Sequence, residues 1–262
     1  MTDPIQQASN LISTARSVVV LSGAGMSAES GVPTFRDAQT GLWEQFAPEQ
    51  LATARAFRAN PALVWTWYMW RWHLVNRVTP NAGHTAIGHW QQRLAKAQGS
   101  LTVATQNVDD LHERGDAQDV LHLHGSLDAF RCIDCDHDAA FNPMTIDLDP
   151  DQKFDEDNLL SPVGCDYCRS GILRPAVVWF GEALPHMAFE TAIEQLQSAD
   201  LVVVIGSSGL VQPAASLPMI GRDAGAKIIE INPSATELSQ TADVYIASTA
   251  AVALPSLVSD VR

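Results

Sequence analysis

Five short runs of β-branched and aliphatic residues constrain this chain more than any other feature: Ser17–Leu21, Leu101–Ala104, Val120–Leu123, Leu201–Ile205 and Lys227–Ile231. Each has the length of a strand and is apolar at successive positions, the pattern of a parallel strand covered on both faces. The segments between them have helical composition, and alternation of strand and helix predicts a doubly wound α/β sheet. Two stretches break the alternation. Residues 50–78 carry Trp65, Trp67, Trp70 and Trp72 with Tyr68 and no strand signal, which predicts helices outside the sheet. Residues 127–172 hold all 4 cysteines and a linker from Asp136 to Gly164 so rich in Asp that a solvated loop is expected there.

Charge and hydropathy narrow the class. With 16 Lys+Arg against 30 Asp+Glu, the formal net charge of −14 argues against a direct grip on nucleic acid or on an anionic membrane surface. A hydrophobic share of 46% against 18% charged residues excludes a disordered chain, and 262 residues fit one large domain or one domain with a small insertion. No apolar run approaches the ~20 residues of a membrane helix, and the start MTDPIQQASN lacks signal-peptide character, so a cytoplasmic protein is expected.

Three groups of residues carry chemistry. The turn Gly23-Ala24-Gly25-Met26-Ser27-Ala28 follows the first strand and fits G-x-G-x-x-[GA], which suits either a pyrophosphate or merely a tight turn. A dehydrogenase would next show a strand ending in an acidic residue about 20 positions on. The chain instead gives GVPTFRDAQTGLW and then helices, which argues against ordinary hydride transfer. Cys132-x-x-Cys135 and Cys165-x-x-Cys168 are the only cysteines, and four thiolates fill a tetrahedral Zn²⁺ without leaving a position for substrate, so a structural metal is expected. His122 and His124 flank Leu123 in VLHLHGS, where alternation puts both on one strand face next to a turn at Gly125. A single strand histidine is commonly a satisfied core residue. Here Gln106, Asn107 and Asp109 of TQNVDD stand at a neighbouring strand end, where open α/β sheets bind ligands.

The strings GAGMSAESGVPTFRD, TQNVDDLHERG, LHLHGS, the two CxxC pairs, RPAVVWFGE and GSSGLVQPAA occur in that order, and together they resemble the sirtuin family of NAD-dependent protein lysine deacylases from about Ser17 to Pro255. The resemblance implies a Rossmann-like domain (1–37, 80–126 and 173–262) and a smaller domain formed by a helical module (38–79) and a zinc module (127–172). It implies cleavage of the nicotinamide–ribose bond of NAD coupled to removal of an acyl group from a protein lysine, releasing nicotinamide and O-acyl-ADP-ribose. Gly23, Ala24 and Gly25 would cradle the diphosphate, Phe35 and Arg36 cover the reacting ribose, and Gln106, Asn107 and Asp109 hold the nicotinamide ribose and carboxamide. His124 would be the general base on a ribose hydroxyl, with Asn107 beside it in catalysis. Gly206, Ser207 and Ser208 resemble a second phosphate and ribose contact, Asn232 would meet the adenine ribose, and Ala250 the adenine. Val178, Trp179 and Phe180 resemble the segment that pairs with the substrate peptide as an added strand.

Tyr68 and Arg71 stand at i and i+3 of a helical stretch, which puts them on one side of it. Spacing alone fits an ordinary helix arginine paired with a carboxylate. Tyr-x-x-Arg at this place resembles the sirtuin subgroup that removes malonyl, succinyl and glutaryl groups, with Arg71 and the Tyr68 hydroxyl on the distal carboxylate. Three positions depart from the family pattern: Asp110 where Gly is usual, His122 where an acidic residue is usual, and Ser207 where Thr is usual. Two other readings use the same NAD site, a protein ADP-ribosyltransferase and a non-catalytic NAD-sensing regulator. The target proteins and the oligomeric state are not legible in the sequence.

Overall fold

The computed structural model describes residues 3–33, 48–149 and 158–259. In chain order the elements are α1 (Pro4–Thr14), β1 (Ser17–Ser22), α2 (Pro48–Leu51), α3 (Ala54–Ala59), α4 (Pro61–Arg77), α5 (Ala82–Lys96), β2 (Ser100–Thr105), α6 (Leu111–Arg114) and β3 (Leu121–His122). They continue as β4 (Gly125–Cys132), β5 (Asp138–Ala139), β6 (Leu173–Val177), α7 (His186–Gln197), β7 (Leu201–Ile205), α8 (Leu217–Asp223), β8 (Lys227–Ile231), β9 (Val244–Ile246) and α9 (Ala250–Val258). The chain divides into two compact units. Among the described residues, no helix is long and apolar enough to cross a membrane.

The first unit comprises residues 3–33, 79–123 and 185–259. Its sheet runs β3-β2-β1-β7-β8-β9, with every pair parallel. Counted within the sheet this is the order 3-2-1-4-5-6 of a dinucleotide-binding fold, and the order reverses between β1 and β7. Alternate residues of each strand serve opposite faces. Val18, Val20, Val103, Val203 and Ile229 pack with Ile12 of α1, Trp90 of α5 and Leu254 of α9. Val19, Leu21, Val202, Val204 and Ile228 pack with Leu196 of α7 and Leu217 of α8. Burial of each such side chain contributes about 1.5–3 kcal/mol, and two covered faces explain why the strands read as continuous apolar runs.

The second unit comprises residues 48–78, 124–149 and 158–184. It holds a three-stranded antiparallel sheet, β5-β4-β6. Helix α4 starts with Pro61 at its first position, and the Asn60 side chain accepts a hydrogen bond from the Leu63 N–H at 3.3 Å, a favourable start. Its apolar residues surround the axis rather than forming a stripe, which marks a helix packed on several sides. Val64, Trp65, Trp67, Tyr68, Met69 and Trp72 are all buried. Trp65 meets Phe130 and Phe141 with ring centroids 5.9 and 5.4 Å apart.

Three sequence expectations change here. Residues 173–184, expected with the Rossmann-like domain, group with the second unit, because β6 pairs with β4 and not with the large sheet. The boundary expected after residue 126 falls after Leu123. The acidic linker is not wholly a solvated loop: Phe141 docks into the aromatic core and the Leu160 N–H donates to Thr66 Oγ1 at 2.7 Å, so one aromatic side chain and one backbone hydrogen bond anchor it. Residues 150–157 of that linker lie outside the described residues.

Candidate functional site

In the first unit the functional residues gather at the carboxyl ends of β2, β1, β7 and β8. The loop after β1 is tied to the loop after β7 by main chain: Gly23 N–H donates to Ile205 O and Gly25 N–H to Gly206 O, each at 2.9 Å. A Cβ on Gly25 would lie 2.7 Å from Gly206 Cα, and one on Gly206, whose φ is +58°, would lie 2.5 Å from the Gly25 carbonyl carbon. These glycines are required because two backbones touch, a constraint beyond the approach to a phosphate that the motif suggested. Ala24 sits between them in a short 3₁₀ turn.

Side chains lace the neighbouring loops together. Asn107 Nδ2 donates to Ser27 Oγ at 3.0 Å, Gln106 Nε2 to Ser207 Oγ at 3.3 Å, and Asn232 Nδ2 to the Ser207 carbonyl at 2.8 Å. Asn107, Asp109, Ser207 and Asn232 are buried, and Ser208 is half-buried. Asp109 Oδ1 accepts the Leu111 N–H at 3.2 Å and Tyr245 donates to the Asn232 carbonyl at 3.1 Å. Ala250 opens α9, and the adjacent Ala251 N–H donates to Glu29 Oε2 at 3.1 Å, which ties that helix start to the segment after the glycine turn. Buried amide, carboxylate and hydroxyl groups at the reversal of strand order fit a polar dinucleotide; Asn107 uses one of its two amide N–H groups on Ser27. Phe35 and Arg36 lie outside the described residues.

Beneath these loops lies a layer that sequence reasoning missed. Ser22 Oγ is 2.8 Å from both Thr105 Oγ1 and His112 Nε2, and the His112 ring meets His84 edge to face at 5.0 Å. Burial holds His112 well below the ordinary imidazole range and pushes His84 down to about 4, so both are neutral. His122 differs. Burial pushes it down, but the Glu113 carboxylate 2.6 Å from Nε2, the Asn107 carbonyl and Asp109 outweigh that and raise it overall. No periodicity marks His112, whose partner Ser22 is 90 positions away, or Glu113, which reaches His122 across a turn.

The strand-face argument for His122 and His124 does not hold. β3 ends at His122 and the chain turns through Leu123 and His124, because Leu123 is drawn into the apolar cluster below the sheet and Gly125 adopts φ +72°. His124 belongs to the second unit, where its carbonyl accepts the Val178 N–H at 2.8 Å. The Trp179 N–H donates to Glu182 Oε2 at 2.8 Å and the Phe180 N–H to the Ala52 carbonyl at 2.9 Å. All three N–H groups of residues 178–180 are thus engaged, so a substrate strand pairing with this segment has to use its carbonyl oxygens. Phe180 is exposed and Val178 half-buried.

The four cysteine sulfurs lie within 4.8 Å of one another, with Cys132–Cys168 at 3.7 Å and Cys135–Cys165 at 3.9 Å. Four sulfurs about 2.3 Å from one zinc ion would be roughly 3.8 Å apart, so the cluster fits a structural zinc. The two knuckles are built alike. The N–H four residues after the first cysteine returns to that cysteine's carbonyl, Asp136 to Cys132 and Arg169 to Cys165, and both Asp136 and Arg169 adopt positive φ. A Cβ on Gly171 would come within 2.5 Å of Cys132 Sγ.

Tyr68 and Arg71 lie on α4. Tyr68 is 3% exposed, its oxygen accepts the Trp179 indole N–H at 2.8 Å, and burial pushes its hydroxyl up to about 12 despite the charge of Arg71. Half-buried Arg71 holds its guanidinium carbon 5.4 Å from the centre of the Trp67 ring.

Comparison with known proteins agrees with this arrangement. The Sir2 family profile matches residues 23–213. A Mycobacterium leprae NAD-dependent protein deacylase is 47% identical over 240 residues, covering 92% of this chain and 95% of its own. A Corynebacterium glutamicum protein of the same description is 42% identical over 255 residues, covering 97% and 94%. A solved complex of a Sir2 homologue with NAD superimposes with a TM-score of 0.85 at 39% identity, covering 100% of this chain and 94% of that one.

Proposed function

The chain belongs to the Sir2 family and is an NAD-dependent protein deacylase, and on that premise we propose that its preferred substrates are protein lysines carrying short acyl groups that end in a carboxylate, succinyl or malonyl, with acetyl as a lesser substrate. The observation that carries the acyl preference is the pair on α4. Tyr68 is buried, and Arg71 stands one turn further on over the face of Trp67. A guanidinium in apolar surroundings gains most from an anionic partner, and a phenol that stays protonated across the working pH range can donate to the same carboxylate.

NAD supplies, when bound, the ribose whose bond to nicotinamide is cleaved and which carries the acyl group away. His124 takes the proton from a ribose hydroxyl as the acyl carbon is attacked, the general-base role for which an imidazole nitrogen is suited. Asn107, Asp109 and Gln106 hold the nicotinamide ribose and carboxamide, which the anchorage of Asn107 on Ser27 supports. Gly23, Ala24, Gly25, Gly206, Ser207 and Ser208 form the diphosphate side, Asn232 and Ala250 the adenosine side, and Phe35 and Arg36 cover the ribose. Val178 and Phe180 line the substrate chain. Cys132, Cys135, Cys165 and Cys168 hold a zinc whose four sulfur ligands leave no position for substrate, so it closes the knuckles and takes no part in acyl transfer.

The test is steady-state deacylation of one peptide carrying acetyl-, malonyl- or succinyl-lysine, with product mass spectrometry. Faster NAD-dependent removal of succinyl or malonyl than of acetyl, with O-acyl-ADP-ribose formed, is expected. A charged hydrogen bond contributes about 1.5–3 kcal/mol, so Arg71→Met should lower desuccinylation roughly tenfold to a hundredfold and deacetylation much less. Equal losses would remove the pocket, and ADP-ribose found on the peptide would favour the transferase.

A further inference from the structure

The environment of Tyr68 assigns a direction to its hydroxyl. An indole N–H can only donate, so at the 2.8 Å contact with Trp179 Nε1 the Tyr68 oxygen must accept. Its own proton points elsewhere, and among the described residues no hydrogen bond takes it. Trp179 is held on several sides. Its backbone N–H donates to Glu182, its ring lies 3.3 Å from the Arg174 guanidinium carbon, and Phe57 packs against it with centroids 5.3 Å apart. Arg174, only 2% exposed, forks onto Glu182 and donates to the Pro175 and Val177 carbonyls. Four of its five N–H groups are matched in this way, and the matched fork keeps the indole from turning.

We propose that Trp179 is a positioning residue for acyl selectivity: its indole N–H fills the accepting side of the Tyr68 hydroxyl, so that this hydroxyl meets the acyl terminus only as a donor, and the Arg174–Glu182 pair fixes the indole in that role. The proposal rests on the reading of Tyr68 and Arg71 as the carboxylate pair. A hydroxyl without this constraint can rotate to accept as well as donate, and its help to a carboxylate is diluted. One held as a donor favours a terminus that offers acceptors alone, as a carboxylate does, and gives nothing to the methyl of an acetyl group.

The experiment uses the full zinc-loaded chain at saturating NAD with Trp179→Phe, Tyr68→Phe and the double variant. A net hydrogen bond is worth about 0.5–1.5 kcal/mol, so Trp179→Phe should raise the succinyl KM relative to the acetyl KM roughly threefold to tenfold, beyond any loss the two peptides share. A packing defect would lower both substrates together. The double variant should discriminate no worse than Tyr68→Phe alone, because without the hydroxyl the indole has nothing to orient. Equal losses for the two acyl groups, or additive losses in the double variant, overturn the proposal. If the unmutated enzyme has no succinyl or malonyl preference, the carboxylate reading falls and this proposal with it; if that preference exists and Arg71→Met removes it while Trp179→Phe leaves it intact, only this proposal falls. Should Trp179→Phe not fold, Tyr68→Phe gives a second readout. One of the seven tryptophan indole N–H resonances should move upfield and exchange faster. An unchanged indole spectrum overturns the proposal.

Discussion

At the switch point of the first unit two loops meet backbone to backbone, Gly25 against Gly206, with no room for a methyl group. Around Tyr68 in the second unit the order is kept by side chains instead: carboxylate to guanidinium, guanidinium on indole, indole to phenol. Main-chain contact resists any substitution but has few settings. A chain of side chains can be altered one hydrogen bond at a time, which suits the acyl selectivity proposed for this region.

Metal removal should separate the two regions most sharply. Trp65, Trp67, Trp70, Trp72 and Trp179 all belong to the second unit and Trp90 to the first, so near-ultraviolet circular dichroism reports chiefly on the second. Structural zinc contributes on the order of 10 kcal/mol in small zinc modules, so strong chelation or Cys132→Ser should collapse that signal and lower every deacylation more than a hundredfold. Retention of both would mean that the aromatic core needs no metal. The next largest effect belongs to His124→Ala. General-base catalysis contributes roughly 10²–10⁴-fold, a loss expected in kcat for all acyl groups alike, with NAD affinity kept within about threefold because the first unit is untouched. A drop confined to one acyl group would show that His124 acts on the acyl side.

The backbone contact itself is tested with two glycines of similar φ. Gly206 has φ +58° and no space, whereas Gly209 has φ +69° and nothing within 4 Å of where a methyl group would stand. Gly209→Ala should cost about 1 kcal/mol from backbone strain alone, while Gly206→Ala adds overpacking for a total of roughly 2–4 kcal/mol, seen as a drop in Tm and a higher KM for NAD. Equal costs would mean that strain, and not contact between the loops, fixes these glycines.

The sequence carried five of the six strands of the large sheet, because β1, β2, β7 and β8 are covered by helices on both faces and read as β-branched runs, whereas β9 at the sheet edge is three residues long and gave no run. It carried the cysteine knuckles because ligand spacing is local. It misassigned the faces of His122 and His124, since a strand of two residues is too short for alternation to apply and the pull on Leu123 comes from α7 and β2 residues distant in sequence. It gave Trp179 only a place in the substrate-pairing segment and left Arg174 and Glu182 without a role, for the same reason. Their meaning lies in a contact with Tyr68, 111 positions from Trp179, that no spacing rule reports.

The smallest effect is a matter of pH, and it sets His122 against Tyr68. His122 is raised above its ordinary value by Glu113 despite its burial, so the pair stabilises the fold fully below the unfolded pKa of about 6.5 and loses that contribution as pH rises through the folded value. The difference in Tm between the unmutated chain and Glu113→Gln should therefore be largest near pH 6 and shrink by pH 8–9. Glu113 is 40% exposed, so solvent screening limits the effect to under about 1 kcal/mol, a few degrees at most. Tyr68, pushed up to about 12, changes nothing over this range. The ratio of succinyl to acetyl turnover should stay level from pH 6 to 9 while the stability difference closes. A selectivity that fell with rising pH would place a titrating group beside the Tyr68 hydroxyl and undo the contrast between the two regions.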